Sequence, residues 1–394
     1  MQPCHHYSYL QGDFENVNPR ILNRSAQKAY KNIDRHSDER VLEPVFNRLT
    51  SAQPNIPVAK VDVTRRPQGY GKWALPKLKR ELHDKNPQIV VAAITSICDL
   101  VHDPERAYEA IKIKVIDRLV DLIRHEDGAI RERATNTLTG LAGLAAGREA
   151  IVGNKLLLAN LADIVDDENL GVRIHVAACL EMVARFWMTA DVLVDAGFIQ
   201  ILLGTIVNER PEVVDKQLDT LESLIYGKGK EIVIQEGGFQ TLIKFLEHEE
   251  NSIAAKTCKL IALMCYTEEG RKLSKELDLL PILNRLLHYT ESEVHTAAAE
   301  AIMVCTITSE EKIRASTIKS MMKRLVQLSR TKLNATTQVF AIKALTSICE
   351  HPEMRREINE KYKAQIEDIQ LGDFPNADKF KEDLIKIVDW VPYE

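Results

Sequence analysis

Apolar positions along this 394-residue chain return with a long period. Leu78, Leu119, Leu161, Leu202, Leu242, Leu283 and Leu325 are separated by 41, 42, 41, 40, 41 and 42 residues. Three further columns follow the first six of these anchors. Four residues on stand Leu82, Ile123, Val165, Ile206, Leu246 and Leu287. Eleven on stand Ile89, Ile130, Val172, Val213, Ile253 and Val294, and nineteen on Ile97, Leu138, Leu180, Leu221, Ile261 and Ile302. All 24 positions are Leu, Ile or Val. A background that is 45% apolar would fill them by chance roughly once in 10⁸ trials, so the repeat is real.

Within each unit the anchor and the residue four on share one helix face, because about 3.6 residues complete a turn. Turn and capping residues follow: Asp84-Lys85-Asn86-Pro87, His125-Glu126-Asp127-Gly128, Asp166-Asp167-Glu168-Asn169, Asn208-Glu209-Arg210-Pro211 and Tyr289-Thr290-Glu291-Ser292. A longer helix then carries the other two columns. Short third helices before the next anchor, as at 147–153 and 268–277, favour three-helix armadillo units over two-helix HEAT units. Neither hairpin buries its stripe alone, so neighbours must stack. The predicted fold is all-α, an armadillo-type α-solenoid of about seven repeats. The seventh slips: Ser329 and Thr336 fall in apolar columns and the match resumes one residue late at Leu345, which places a one-residue insertion within 329–334. The segment Ile94-Thr95-Ser96-Ile97-Cys98-Asp99 reappears near the other end as Leu345-Thr346-Ser347-Ile348-Cys349-Glu350.

The array is expected over 70–355. Residues 1–69 read as an extended arm and linker, with prolines 54, 57 and 67 and one short helix at 37–49. Residues 356–394 read as a tail whose last helix, 376–388, caps the stack.

Composition narrows the function. Scarce Gly (17) and Pro (14) favour helix, and a net charge of −5 argues against phosphate-driven nucleic-acid binding. The one basic group, Lys319, Lys323, Arg324, Arg330 and Lys332, reads as a solvated helix face. No run approaches the roughly 18 apolar residues of a membrane span, and the first residues lack the pattern of a signal peptide. Seven cysteines follow no disulfide spacing and read as reduced, mostly buried thiols. The expectation is a soluble intracellular protein without nucleic-acid, membrane or small-molecule partners.

Candidate chemistry is thin. Cys4-His5-His6 has no second cluster at zinc spacing. Gly227-Lys228-Gly229-Lys230 lacks the strand and spacing of a phosphate loop and reads as a helix end. Gly140, Gly143 and Gly147 read as close-packing and left-handed C-cap positions. His175 and His295 are expected to be partly buried, and the other turn histidines exposed. The sequence therefore points away from an enzyme and from any metal or cofactor.

Solenoids bind through the face lined by their long helices. Peptide-carrying armadillo proteins such as importin-α and β-catenin place an asparagine ladder there, with tryptophans one turn earlier. Here the first column reads Asp99, Gly140, Met182, Ser223, Leu263 and Val304, and the second Thr95, Asn136, Ala178, Asp219, Lys259 and Glu300. Both ladders are missing, and these twelve positions form the candidate protein-binding groove. Met182, Leu263 and Val304 would suit a partner helix or folded surface, or are simply core.

A more specific likeness lies at the start of the array. Tyr70-Gly71-Lys72-Trp73-Ala74-Leu75-Pro76-Lys77-Leu78, then Cys98-Asp99-Leu100-Val101-His102-Asp103-Pro104-Glu105 and Tyr108, resemble the armadillo-repeat radial spoke proteins of ciliary and flagellar axonemes. Asp278-Leu279-Leu280-Pro281-Ile282-Leu283-Asn284-Arg285-Leu286-Leu287 and Leu333-Asn334-Ala335-Thr336, followed by Lys343-Ala344-Leu345-Thr346, extend it. The likeness covers roughly 54–350 and is weak between about 150 and 235. It implies a structural subunit of the radial spoke, partnered by spoke stalk and neck proteins, with no catalytic residues. The alternative reading is a soluble armadillo adaptor for peptide or protein cargo.

Overall fold

Several helices in this chain start where a short polar side chain takes up a free backbone N–H. Asn86 Oδ1 accepts from Gln88 N at 3.0 Å, Asp127 Oδ1 from Ala129 N at 2.9 Å, and Asn169 Oδ1 from Gly171 N at 2.8 Å. Pro87 and Pro211 occupy first-turn positions, where no N–H is missed. These residues open the long second helices of the first four repeats, at the breaks the sequence marks, whereas the long helices at Asn251–Cys265 and Ser292–Cys305 start without a side-chain cap.

A computed structural model describes residues 73–332 and 334–390. The expected helix at 37–49, the linker and Cys4, His5 and His6 lie outside them. No strand occurs among the described residues. The chain falls into two compact units, residues up to 206 with 226–228, and 207–225 with 229 onward.

The first unit holds α1 (Ala74–Glu81), α2 (Pro87–Leu100) and α3 (Pro104–Lys112), then α4 (Val115–Leu122), α5 (Gly128–Ala142) and α6 (Ala145–Gly153). A third set follows, α7 (Lys155–Asp163), α8 (Leu170–Ala184) and α9 (Trp187–Asp195), and α10 (Phe198–Thr205) begins the fourth. Its long helices α2, α5 and α8 lie side by side.

The second unit opens with α11 (Pro211–Leu224), α12 (Lys230–Gln235) and α13 (Gly238–Leu242). Then come α14 (Asn251–Cys265), α15 (Glu268–Glu276), α16 (Leu279–Leu286), α17 (Ser292–Cys305) and α18 (Ser309–Ser316). The last set is α19 (Lys319–Ser329), α20 (Ala335–Cys349), α21 (Pro352–Lys361), α22 (Lys363–Glu367) and α23 (Ala377–Asp389). Here α11, α14, α17 and α20 pack in series, and α23 lies on α20 where a further long helix would stand.

The four apolar columns are the core. All their residues are buried except Ile89, which no described repeat covers from the N-terminal side. In the seventh repeat Ser329 keeps its core place, with its hydroxyl donating to Val326 O at 2.9 Å. Thr337, not Thr336, is the fully buried residue of the next helix, so the extra residue lies in the connection after Ser329. The boundary at 355 falls inside α21. That helix is the seventh repeat's third helix, and its two buried apolar residues, Met354 and Ile358, stand among charges.

The left-handed role assigned to Gly140, Gly143 and Gly147 does not hold, because none of the three has positive φ. Among the described residues positive φ falls instead on the residue before an anchor helix, Lys114 at 59°, Gly197 at 81°, Gly237 at 74° and Asp278 at 46°, and on Asn376 at 59° before α23. Gly147 serves close packing, since a Cβ there would lie 1.9 Å from Leu141 O. Gly270 makes the same approach to Met264 O, and at the corresponding Thr189 the hydroxyl donates to Val183 O.

Candidate protein-binding face

Neighbouring repeats are joined by side chains that reach one repeat back. Arg118 and Arg324 each precede an anchor, and each Nε donates to a carbonyl of the preceding anchor helix, Leu82 O at 3.1 Å and Leu287 O at 2.8 Å. Asn160, in the same register, donates to Val120 O at 3.0 Å. Arg148 and Arg271 sit 29 residues after their anchors and close the long helix before them, donating to Ala142 O at 2.7 Å and Cys265 O at 3.0 Å. The Arg148 guanidinium also lies 3.5 Å over the Phe186 ring. These contacts fix the spacing of the long helices, and with it the face they present.

In the first unit the candidate positions offer little that protrudes. Thr95 is half-buried and returns its hydroxyl to Val91 O at 2.7 Å. Gly140 packs on Val101, whose Cγ2 would stand 2.7 Å from an added Cβ. Asn136, Ala178 and Met182 are half-buried, and Asp99 alone is exposed. Between the long helices, Thr139 Oγ1 donates to His175 O at 3.0 Å. Arg131 makes a two-pronged pair with Asp167, both contacts 2.8 Å. Burial opposes the Asp167 carboxylate, yet Arg131 and the Asn169 N–H leave its pKa below the ordinary carboxylate value.

The second unit is different in kind. Its tryptophan column reads Asp219, Lys259 and Glu300, and α20 continues it with Lys343, so the charge alternates from helix to helix. Lys256, three residues before Lys259, bridges Asp215 at 2.8 Å and Asp219 at 2.7 Å. Burial pulls the Lys256 ammonium down, but the two carboxylates outweigh it and hold its pKa above the ordinary value. Lys259 pairs with Glu222 at 2.7 Å, and Lys312 of α18 pairs with Glu350, which caps the C-terminus of α20. Of the asparagine column, Ser223 is half-buried and donates to Asp219 O at 3.1 Å, while Leu263 and Val304 are buried. Leu263 therefore belongs to the core, while Val304, also buried, backs a cavity at the end of α17.

The two remaining charges are set differently. Among the described residues neither Glu300 nor Lys343 makes a hydrogen bond or ion pair, and the Lys343 ammonium lies 4.0 Å over the Phe380 ring. Burial raises the Glu300 pKa, with the charge of Lys259 and then that of Lys343 offsetting part of the rise and Glu222 adding to it, and burial lowers the Lys343 pKa against the charge of Glu300. Beside them a cavity of about 330 Å³ opens at the C-terminal ends of α17 and α20. Tyr266, Met303, Ile307 and Phe380 supply its apolar lining. This lining lies beyond the two ladder columns: Tyr266 and Ile307, three residues after Leu263 and Val304, are both 49% exposed.

The basic group of α19 is a solvated face: Lys319, Lys323, Arg330 and Lys332 are exposed, and Arg324 turns inward to Leu287 O. His295 is buried, with Nδ1 3.3 Å from Tyr289 O, and His175 is half-buried. Six cysteines among the described residues are buried and unbridged. Burial pushes the Cys179 and Cys349 thiols up to about 12. Gly227 to Gly229 lie in a single wide turn between α11 and α12, the helix end the sequence indicates. No single helix among the described residues is long and apolar enough to cross a membrane.

No family model matches the sequence. Solved structures do. An engineered protein determined by a structural genomics consortium superposes with a TM-score of 0.72 over 98% of this chain and 89% of its own, at 17% identity. A designed armadillo repeat protein aligns over 59% of this chain and 99% of its own, with a TM-score of 0.54 and 18% identity. A related design, solved in complex with the peptide (KR)4, gives the same coverage, TM-score and identity. At such identities the likeness concerns architecture, and the architecture is that of an armadillo-type α-solenoid.

Proposed function

We propose that this protein is a non-enzymatic scaffold that binds other proteins through the long helices of its repeats, and that its setting is the radial spoke of the ciliary or flagellar axoneme. The scaffold reading rests on the side-chain inventory of that face. Its charges are mostly spent on neighbouring repeats, and what remains is a small apolar cavity beside two unbonded charges. A designed armadillo protein of similar architecture holds a peptide, which supports protein recognition as the use of such a surface.

The spoke assignment is narrower and rests on the sequence alone. Residues 70–78 and 98–105, with 278–287, resemble the radial spoke head 14 homologue. The proposed partners are stalk and neck subunits, with no nucleic acid, membrane or small-molecule substrate. An array whose contacts are local can flex without opening its core, which suits a part of a bending organelle. The test is retention. A tagged copy in ciliated cells should remain on axonemes after a salt wash; a copy that stays diffuse and is absent from washed axonemes removes the assignment.

The second reading, a soluble adaptor, keeps the same face for linear cargo. It expects micromolar or tighter binding of isolated peptides, lost on substitution of Asp219 or Glu300. The absent ladders weigh against it.

A further inference from the structure

Glu300 and Lys343 stand in the same column of adjacent long helices, half-buried, opposite in sign and, among the described residues, without a hydrogen bond or ion pair, although Lys343 stacks on Phe380. Half-buried charges are expensive unless something pairs or hydrogen-bonds with them. Their neighbours already have bonded partners: Lys259 pairs with Glu222, so that its charge reaches Glu300 without a bond, and Lys312 pairs with Glu350. The polar rim of the cavity is also used internally. Ser347 donates to Thr306 O at 2.9 Å, and Thr346 to Ile342 O at 2.8 Å. What is left for an incoming molecule is an acceptor, a donor and an apolar hollow.

One neutral group meets both charges. A carboxamide donates its N–H to a carboxylate and accepts at its carbonyl from an ammonium. A carboxylate would pair with Lys343 but oppose Glu300 and the nearby Glu350 and Asp383. An ammonium or guanidinium would pair with Glu300 but oppose Lys343 and Lys312. Resting on the protein-binding reading, we propose that this face docks a partner segment carrying Asn or Gln beside a bulky aliphatic residue. The aliphatic side chain fills the cavity against Met303 and Ile307, and the amide bridges Glu300 and Lys343. Four residues separate Glu300 from Val304 at the cavity floor, about 6 Å along α17. An extended segment spans roughly that distance between side chains two residues apart on one face.

The experiment uses the full chain with methyl-labelled Met and Ile, so that Met303 and Ile307 report directly. The probe is acetyl-Ala-Ala-Leu-Ala-Gln-Ala-Ala-N-methylamide, with counterparts that replace Gln by Glu, Lys or Ala, or Leu by Ala. The Gln peptide is expected to shift the Met303 and Ile307 methyls and to bind at least about tenfold more tightly than every counterpart. Glu300→Met and Lys343→Met should each bring it to within about threefold of the Ala counterpart. Ile307→Ser, at an exposed position, should remove the methyl shifts with the fold intact, as the dispersion of the other methyl signals reports. Equal or tighter binding of the Glu or Lys peptide overturns the proposal, as does the absence of shifts with every peptide. Either failure leaves the scaffold reading to be judged by axonemal retention.

Discussion

Lys114 carries φ 59° at the start of α4, in the place that Gly197 fills before α10 with φ 81°. A side chain in this region crowds its own backbone, and glycine does not. Lys114→Gly should therefore stabilise the protein by about 1 kcal/mol in denaturant unfolding, a gain that a solvent-exposed lysine does not offset. Gly147→Ala goes the other way. Its new Cβ would meet the Leu141 carbonyl, a backbone atom that cannot step aside, so a loss of about 3 kcal/mol or more is expected by the same measurement. Glu300 makes a pH-dependent prediction. Its folded pKa is raised above the ordinary 4.5, chiefly by burial, so its contribution favours folding at low pH and is lost as pH rises through the folded value. Glu300→Gln should raise the melting temperature at pH 7.5 and leave it nearly unchanged at pH 4. A fall at pH 7.5 would mean that the ionised carboxylate is better satisfied than its surroundings indicate.

At the scale of elements, the helices were largely legible because their signals are local. An apolar column needs only the 3.6-residue period, and a cap such as Asp127 or Asn169 acts on an N–H two residues away. The staples between repeats were not legible. Lys256 finds Asp215 and Asp219, 41 and 37 residues earlier, and that offset depends on how two long helices slide against each other. Lys256→Met should leave two half-buried carboxylates facing α14 and cost about 2 kcal/mol in unfolding free energy. Lys272→Met, which removes only an exposed pair with Glu268, should leave the unfolding free energy unchanged within error. The limit set at 355 shows the same weakness of local reading: α21 has few apolar positions to mark it, and its place comes from packing on α20.

For the whole molecule, the repeat number and the missing ladders follow from columns anyone can count, whereas the cavity does not. Its lining comes from helices between residues 266 and 383, brought together only by the stacking of repeats and by α23 on α20. Sequence separation of that size leaves no periodic trace. The candidate face is accordingly smaller than the twelve positions suggest: Leu263 goes to the core, buried Val304 backs the cavity and Gly140 goes to helix packing, while Glu300 faces the charges of both Lys259 and Lys343. A scaffold that spends most of its inner charges on itself should have few, specific partners and little affinity for arbitrary peptides. Cross-linking mass spectrometry on intact axonemes measures this directly. The expected result is a set of cross-links from exposed lysines of the second unit, Lys379 and Lys386 among them, to one or two radial spoke stalk or neck subunits. Recovery of the protein only outside the axoneme, cross-linked to varied soluble chains, would contradict it.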